Sequence, residues 1–207
     1  MSFKVKELLK NKRVILASAS PRRKELLRLL VDDFEIVPSN ADESDPETDD
    51  VFTIPEILAE RKCREVAQRC KADDDTVIVG CDTLVIDPDY KPMGKPKDEA
   101  DALDMLLRLQ GTKHWVVSGV CVYYRGRYSR FSEETEVIFI SADESELKAY
   151  IASGEPFDKA GAYAIQGLGG LFAEAILGDY NNVVGLPVTH LSEFLNGMLG
   201  DTDETER

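Results

Sequence analysis

The stretch Val14-Ile15-Leu16-Ala17-Ser18-Ala19-Ser20-Pro21-Arg22-Arg23-Lys24-Glu25-Leu26-Leu27-Arg28-Leu29-Leu30 carries the first unit of the fold. Residues 14–17 are a short apolar run and predict a buried strand. Residues 24–30 predict an amphipathic helix. Ser20 suits an N-cap, and Pro21 fits the first helical turn, where its missing N–H costs nothing. A strand that passes through a hydroxyl-rich turn into a helix N-terminus leaves free N–H groups and a helix dipole that favour an anion. Arg22 and Arg23 add forked donors that match phosphate oxygens. The same residues also describe an ordinary capped helix with solvated arginines, and the stretch alone does not choose.

At 207 residues, 43% of them apolar, the chain can build one large domain or two small lobes around a real core. No apolar run approaches the ~20 residues that span a bilayer. Met1–Lys6 lacks the long apolar segment of a secretory signal. Cys63, Cys70, Cys81 and Cys121 show no metal-ligand spacing with His114 and His190, so free thiols in a reducing, cytoplasmic setting are expected. A formal charge of −14 argues against a broad nucleic-acid surface and against anionic membranes. A small polyanion remains open, because charges farther away than about 8–10 Å are screened at physiological salt.

Residues 39–50 read as an acidic loop, most of it in solvent. A helix is expected from Ile54 to about Cys70, with Ile57, Leu58, Cys63, Val66 and Ala67 roughly on one side. Residues 76–86 form a β-rich run with Gly80-Cys81-Asp82-Thr83 in its middle, and Asp87-Pro88-Asp89-Tyr90 turns the chain. Asp98 caps a helix through Leu109. Strands near 114–125 and 127–140 join at Arg125-Gly126-Arg127 as a hairpin. Ser141-Ala142-Asp143-Glu144 reads as a capping box for a helix that ends at Gly154. A glycine-rich region 154–170, a strand 171–177, a loop 178–182 and a helix from about 187 to 199 follow. This alternation, interrupted by a hairpin, predicts an α/β fold with a mixed twisted sheet and flanking helices. The expected organisation is an extension at 1–12, one domain at 13–198 and a disordered acidic tail at 199–207.

Asp82 interrupts a run that otherwise reads as buried. A carboxylate there must be paired, bind a metal or change its pKa, and each outcome suits a general base. A satisfied structural Asp is the plainer reading; Gly80 beside it would let a backbone or ligand come close. Lys62 and Lys95 are candidates for holding phosphates. Lys62 lies on a charge-rich helix, where a solvent-facing side chain is the default, whereas Lys95 precedes Pro96 in a tight turn. Glu43 could bind a metal or be one more solvated acid. Residues 158–170 combine glycines with Gln166, whose amide can donate and accept toward a base edge; a structural turn cluster fits them too. There is no G-x-S-x-G elbow, H-E-x-x-H, paired C-x-x-C, dinucleotide fingerprint or Walker A loop.

Leu16–Arg23, Gly80-Cys81-Asp82-Thr83, Gly94-Lys95-Pro96, Asp158-Lys159-Ala160-Gly161, Ile165-Gln166-Gly167 and Val184-Gly185-Leu186-Pro187, in this order, resemble the Maf family of nucleoside triphosphate pyrophosphatases. The resemblance runs from about residue 13 to 197. It implies two α/β lobes around a central cleft, similar to inosine triphosphatases, and hydrolysis of a nucleoside triphosphate to the monophosphate and pyrophosphate. It implies Asp82 as proton acceptor, and Ser18, Arg22, Lys62 and Lys95 as phosphate-holding residues. Glu43 matches an acidic position needed for activity and, with Asp82, is the tentative ligand of a divalent cation, Mg²⁺ or Mn²⁺. Arg23, Thr83 and Gln166 match the branch of the family that prefers dTTP and UTP. The resemblance also implies a homodimer and a role in cleaning the nucleotide pool. Many members carry a Glu directly before the helical Lys; here Arg61 stands there and Glu60 one place earlier, so no metal role is assigned to it. The rival reading is a nucleotide-binding regulator of cell division and septum formation with little catalysis.

Overall fold

The computed structural model of the chain describes residues 2–44 and 46–203. Among these, seven strands form one mixed sheet. They are β1 (Arg13–Leu16), β2 (Glu35–Ile36), β3 (Thr76–Ile86), β4 (Pro92–Met93), β5 (Lys113–Tyr124), β6 (Arg127–Phe139) and β7 (Ala173–Leu177). The order is β2-β1-β3-β5-β6-β7, with β4 beside β3. β2, β1 and β3 run parallel, and β3, β5, β6 and β7 pair antiparallel. The helices are α1 (Ser2–Leu9), α2 (Pro21–Leu27), α3 (Ile54–Arg69), α4 (Glu99–Leu109), α5 (Glu144–Ala152), α6 (Tyr180–Val184) and α7 (Val188–Asp203). The β5–β6 hairpin closes as expected: Arg125 (φ 47°) and Gly126 (φ 75°) are both left-handed, as a two-residue type I′ turn requires.

β3 is the spine of the sheet. One of its edges pairs with β5 from Val77 to Ile86. The other meets β1 only as far as Val79 and β4 only from Val85. Residues 80–84 therefore lack a strand neighbour on that edge among the described residues. The chain leaving the C-terminal end of β1 turns into α2 at this gap, the position at which parallel strands of α/β proteins offer a ligand crevice.

Successive β3 side chains face opposite ways. Val77, Val79 and Cys81 join α1, α2 and α7 in one core, with Val5, Leu27 and Leu195 among its members. Val85 joins a second core with Val116, Leu106 of α4 and Ile151 of α5. Ile165 packs against both, so two apolar lobes stand on one face of the sheet with the gap between them. On the opposite face, Ala59, Cys63 and Val66 of α3 cover Ile15, Ile78 and Cys121.

Two glycines set how closely α3 lies on the sheet. A Cβ at Gly80 would sit 2.6 Å from the Ala59 carbonyl oxygen, and one at Gly119 would sit 2.1 Å from the Glu56 nitrogen. Gly119 is the β5 partner of Asp82. Helix backbone thus rests on sheet backbone at the level of Asp82, which side chains at these positions would prevent.

Several boundaries differ from the sequence reading. Residues 180–184, where a loop was expected to begin at 178, form α6, because the Asp179 carboxylate caps it by accepting the Asn181 N–H at 2.7 Å. Residues 168–172 coil into a 3-10 turn, so β7 starts only at Ala173. The helix after β1 ends at Leu27 rather than Leu30. The capping box lies at Asp143 and Glu146 rather than over 141–144; the Glu146 carboxylate accepts the Asp143 N–H at 3.0 Å. The extension at 1–12 carries α1, which docks Val5 and Leu9 into the first core. α7 continues to Asp203, whereas the tail was expected from 199; residues 204–207 lie outside the described residues. All four cysteines are free thiols. No helix among the described residues is long and apolar enough to cross a membrane.

Gly119→Ala is expected to push α3 off the sheet and to cost about 3 kcal/mol in denaturant unfolding. Gly197→Ala on α7, where nothing lies within 4 Å, should leave stability unchanged or raise it. A second expectation concerns His114, which is fully buried with Nε2 3.0 Å from the Tyr163 hydroxyl. Burial lowers its pKa from 6.5 to about 3. The unfolded chain therefore binds one more proton across that window. The contribution of this group is complete above pH 6.5 and falls on acidification by up to about 1.4 kcal/mol per pH unit. Urea unfolding of His114→Gln between pH 6.5 and 4 should show about one proton less of this dependence than the wild type.

Candidate active site

A cleft of about 660 Å³ opens at the unpaired stretch of β3, between the two lobes. The turn between β1 and α2 brings Ser18 to it, the first turn of α2 brings Arg22 and Arg23, and the loop after β2 brings Glu43. Lys62 enters from α3, Asp82 and Thr83 from β3, and Lys95 from the turn after β4. Gln166 reaches it from the second lobe. All nine residues singled out from the sequence thus line one cavity. Its walls carry five cations (Arg22, Arg23, Lys62, Lys95, Lys159) against three carboxylates (Glu43, Asp82, Asp158), so this concavity is locally positive on a chain of net charge −14. Among the described residues no group of three or more His, Cys, Asp or Glu side chains converges as a ready metal site.

At the floor, the Lys62 ammonium lies 2.6 Å from Asp82 Oδ1 and 3.1 Å from Glu43 Oε2. The Lys62 and Asp82 side chains are 10% and 13% exposed, and Glu43 is 60% exposed. Lys62 is therefore not the solvent-facing lysine that its charge-rich helix suggests. The close seat of α3 on Gly80 and Gly119 delivers it to Asp82. The residue that Gly80 admits is thus the α3 backbone rather than a ligand. A carboxylate inside an apolar strand is tolerable only with such a partner.

The acidic loop is less free than its composition implies. Arg69 donates to the Pro38 carbonyl at 2.6 Å, and Glu65 accepts the Ser39 hydroxyl and the Asn40 N–H at 3.1 Å each. Arg61 donates to the Ser44 carbonyl at 2.9 Å and the Asp42 carbonyl at 3.3 Å, so it grips the backbone on both sides of Glu43. Glu60 turns the other way, to Arg64 and Arg130. The arginine before Lys62 thus serves as a loop clamp.

Arg23 spends four of its five N–H donors on the protein. Its Nε donates to the Gly185 carbonyl (2.9 Å), Nη1 to the Cys81 carbonyl (2.8 Å) and the Ser18 hydroxyl (3.2 Å), and Nη2 to Thr83 Oγ1 (3.0 Å). Thr83 Oγ1 is also 2.8 Å from Ser118 Oγ. One guanidinium therefore ties α2 to β3 and to the Gly185 turn. Ser18 Oγ accepts the Ser20 N–H at 3.2 Å as well as Arg23 Nη1, which leaves its own O–H to donate toward the cleft. The Ser20 cap on Arg23 N–H is long, at 3.5 Å.

Arg22 stands at the mouth of the cleft, with Nη1 3.7 Å from Asp158 Oδ2 across the lobes. Lys159 pairs with the same carboxylate. Burial raises the Asp158 pKa, but the hydrogen bond and charge of Lys159, with Arg22 behind it, outweigh that and hold the carboxyl below its ordinary range. The sequence reading leaves residues 158–170 open between a base-recognising stretch and a structural turn cluster, and gives Asp158 and Lys159 no role. Nor did it find Ser118 or Gly119, whose places depend on strand pairing across more than thirty residues.

A family described as Maf-like protein matches residues 13–198. The chain is 46% identical over 189 residues to a protein of Clostridium novyi (strain NT) named dTTP/UTP pyrophosphatase, covering 90% of this chain and 97% of that one. It is also 46% identical over 175 residues to a protein of the same name from Thermococcus gammatolerans (strain DSM 15229 / JCM 11827 / EJ3), covering 84% and 91%. Among solved structures, the Staphylococcus aureus Ham1 protein superimposes with a TM-score of 0.54 at 12% identity, over 90% of this chain and all of that one, a likeness of fold.

Arg23→Lys cannot reproduce the four-way fork. The buried Cys81 and Gly185 carbonyls then lose donors, and denaturant unfolding should show a loss of about 2 kcal/mol.

Proposed function

The chain belongs to the Maf-like protein family, and on that premise we propose that it hydrolyses dTTP and UTP to the nucleoside monophosphate and pyrophosphate. The observation that carries this reading is the buried Lys62–Asp82 pair at the floor of a cation-lined cleft. A triphosphate needs a concave cationic wall, and its hydrolysis at the α-phosphorus needs a base held beside that atom.

The triphosphate tail lies along Arg22 and Lys95, with the Ser18 hydroxyl donating a hydrogen bond. It displaces Asp158 from Arg22, exchanging one anion for another. A water molecule attacks the α-phosphorus, and the bond from that phosphorus to the bridging oxygen of the leaving pyrophosphate breaks. Asp82 takes the water's proton. Lys62 holds Oδ1, which fixes the carboxylate and leaves Oδ2 to accept. Charge that develops on the pyrophosphate is balanced by the cations already in place, without reorganisation. Thr83 and Gln166 read the pyrimidine; Arg23 sets Thr83 in position.

Glu43 and Asp82 both face the Lys62 ammonium; a hard divalent cation such as Mg²⁺ or Mn²⁺ would be held by these carboxylates at the oxygens Lys62 leaves free, with phosphate oxygens and water filling its shell. When bound, the ion neutralises phosphate charge and helps align the tail. Action on the cytoplasmic nucleotide pool, by a homodimer, completes the reading. Free thiols at all four cysteines support the reducing compartment.

Asp82→Asn preserves shape and removes the base. Pyrophosphate release from UTP should fall about 10²–10⁴-fold in kcat, while nucleotide binding by calorimetry persists. A variant with near-native kcat would take Asp82 out of the mechanism.

A further inference from the structure

The segment that carries Gln166 is anchored from behind by two residues to which the mechanism gives no part. Glu155 lies in the 3-10 turn Glu155–Asp158. Its Oε2 accepts the Leu168 N–H at 3.0 Å, and its Oε1 accepts the Gly169 N–H at 3.0 Å and the Tyr150 hydroxyl at 3.0 Å. The Tyr150 oxygen in turn accepts the Ala164 N–H at 3.2 Å. Three backbone amides, at 164, 168 and 169, therefore hang from one Tyr–Glu pair, and Gln166 sits at the middle of the span they fix.

The anchor is rigid and charged. Tyr150 is 5% exposed and belongs to the second core through α5. Burial raises the Glu155 pKa, but the N–H groups of Gly169 and Leu168 and the Tyr150 hydroxyl outweigh it and hold the carboxyl below its usual range. Hydrogen bonds to an ionised acceptor are roughly twice as strong as neutral ones. The glycines of the arc are dictated by the same pair: a Cβ at Gly167 would lie 2.3 Å from Glu155 Oε2, and one at Gly169 would lie 2.7 Å from the Tyr150 oxygen. The arc is folded onto the carboxylate as closely as backbone permits.

We propose that Glu155 and Tyr150 are positioning residues for base recognition, fixing the arc from 164 to 169 so that Gln166 presents its amide to the pyrimidine edge. This inference rests on the base-reading role proposed for Gln166 above. A contact to the base acts equally in ground and transition states, so weakening it raises KM and leaves kcat in place.

The test is a double-mutant cycle with UTP and Mg²⁺ at steady state, on Glu155→Gln, Gln166→Ala and their combination. Each single variant should raise KM for UTP about tenfold, the worth of one or two lost hydrogen bonds, with kcat within about twofold. The double variant should be no worse than Gln166→Ala. An equal rise in KM from Glu155→Gln in both backgrounds would mean that Glu155 acts independently of Gln166, and would overturn the inference. An unchanged KM in Glu155→Gln beside a raised one in Gln166→Ala would overturn it too, and leave the base-reading role intact. An unchanged KM in Gln166→Ala would remove both. Tyr150→Phe, which deletes one hydroxyl and keeps the ring, runs through the same cycle with a smaller rise of about threefold, and decides the matter if Glu155→Gln does not fold.

Discussion

A carboxylate and an ammonium share the interior of this protein at 2.6 Å, and most of the architecture follows from keeping them there. Desolvating two charges costs several kcal/mol each, and their mutual attraction offsets that only when the geometry is held. The geometry here comes from backbone rather than from long side chains. α3 reaches the sheet because Gly80 and Gly119 have no Cβ, and Gly119 faces Asp82 across the β3–β5 ladder. Loss of Lys62 would strand the Asp82 charge, a defect usually worth about 3–5 kcal/mol, whereas loss of Asp82 leaves Lys62 its second partner, Glu43, at 3.1 Å. The pair is poor economy as a stabilising device, which makes a chemical role the better account of its presence.

Around that pair the chain leaves one edge of β3 open. β1 stops at Leu16, β4 begins only at Pro92, and the interval becomes the floor of a cleft. The alternation of a strand then divides the work: Asp82 faces α3 and Lys62, while Thr83 faces Arg23, Ser118 and the Gly185 turn. Chemistry and base recognition can thus occupy adjacent residues on opposite faces. The turn from β1 into α2 belongs to the first lobe and Gln166 to the second, so a nucleotide that spans the cleft must touch both. The Arg22–Asp158 contact at 3.7 Å already bridges the lobes at the point where the triphosphate would enter.

Much of this is readable in local sequence. The apolar run, serine cap and proline of residues 14–21 announce the strand, turn and helix, and the hairpin at Arg125-Gly126 announces the antiparallel half of the sheet. Asp82 stands out because it breaks a run of buried residues. Other features are hidden because their causes are distant in the chain. Lys62 reads as solvated on a helix of mixed charge, and only the close packing of α3 on Gly80 and Gly119 shows why it is buried. Arg23 reads as one of two phosphate-facing arginines, yet it is committed to acceptors at residues 18, 81, 83 and 185. The acidic loop reads as solvent-exposed, and most of it is; what nothing nearby in sequence reveals is that Arg61, Glu65 and Arg69, one face of α3, hold it in place. α6 was hidden by its brevity, five residues that begin at an Asp cap.

The central claim is spatial: the reacting phosphorus must lie beside Asp82 while the tail runs along the cationic wall. A crystal structure with a uridine triphosphate whose α–β bridge is an imido group, in the presence of Mg²⁺, measures this directly. The account places the α-phosphorus within one water molecule of Asp82, the β- and γ-phosphates on Arg22 and Lys95, and the base toward Gln166. A nucleotide bound in the reverse sense, with its base on the Lys62–Asp82 pair, or one seated outside this cleft, would contradict it.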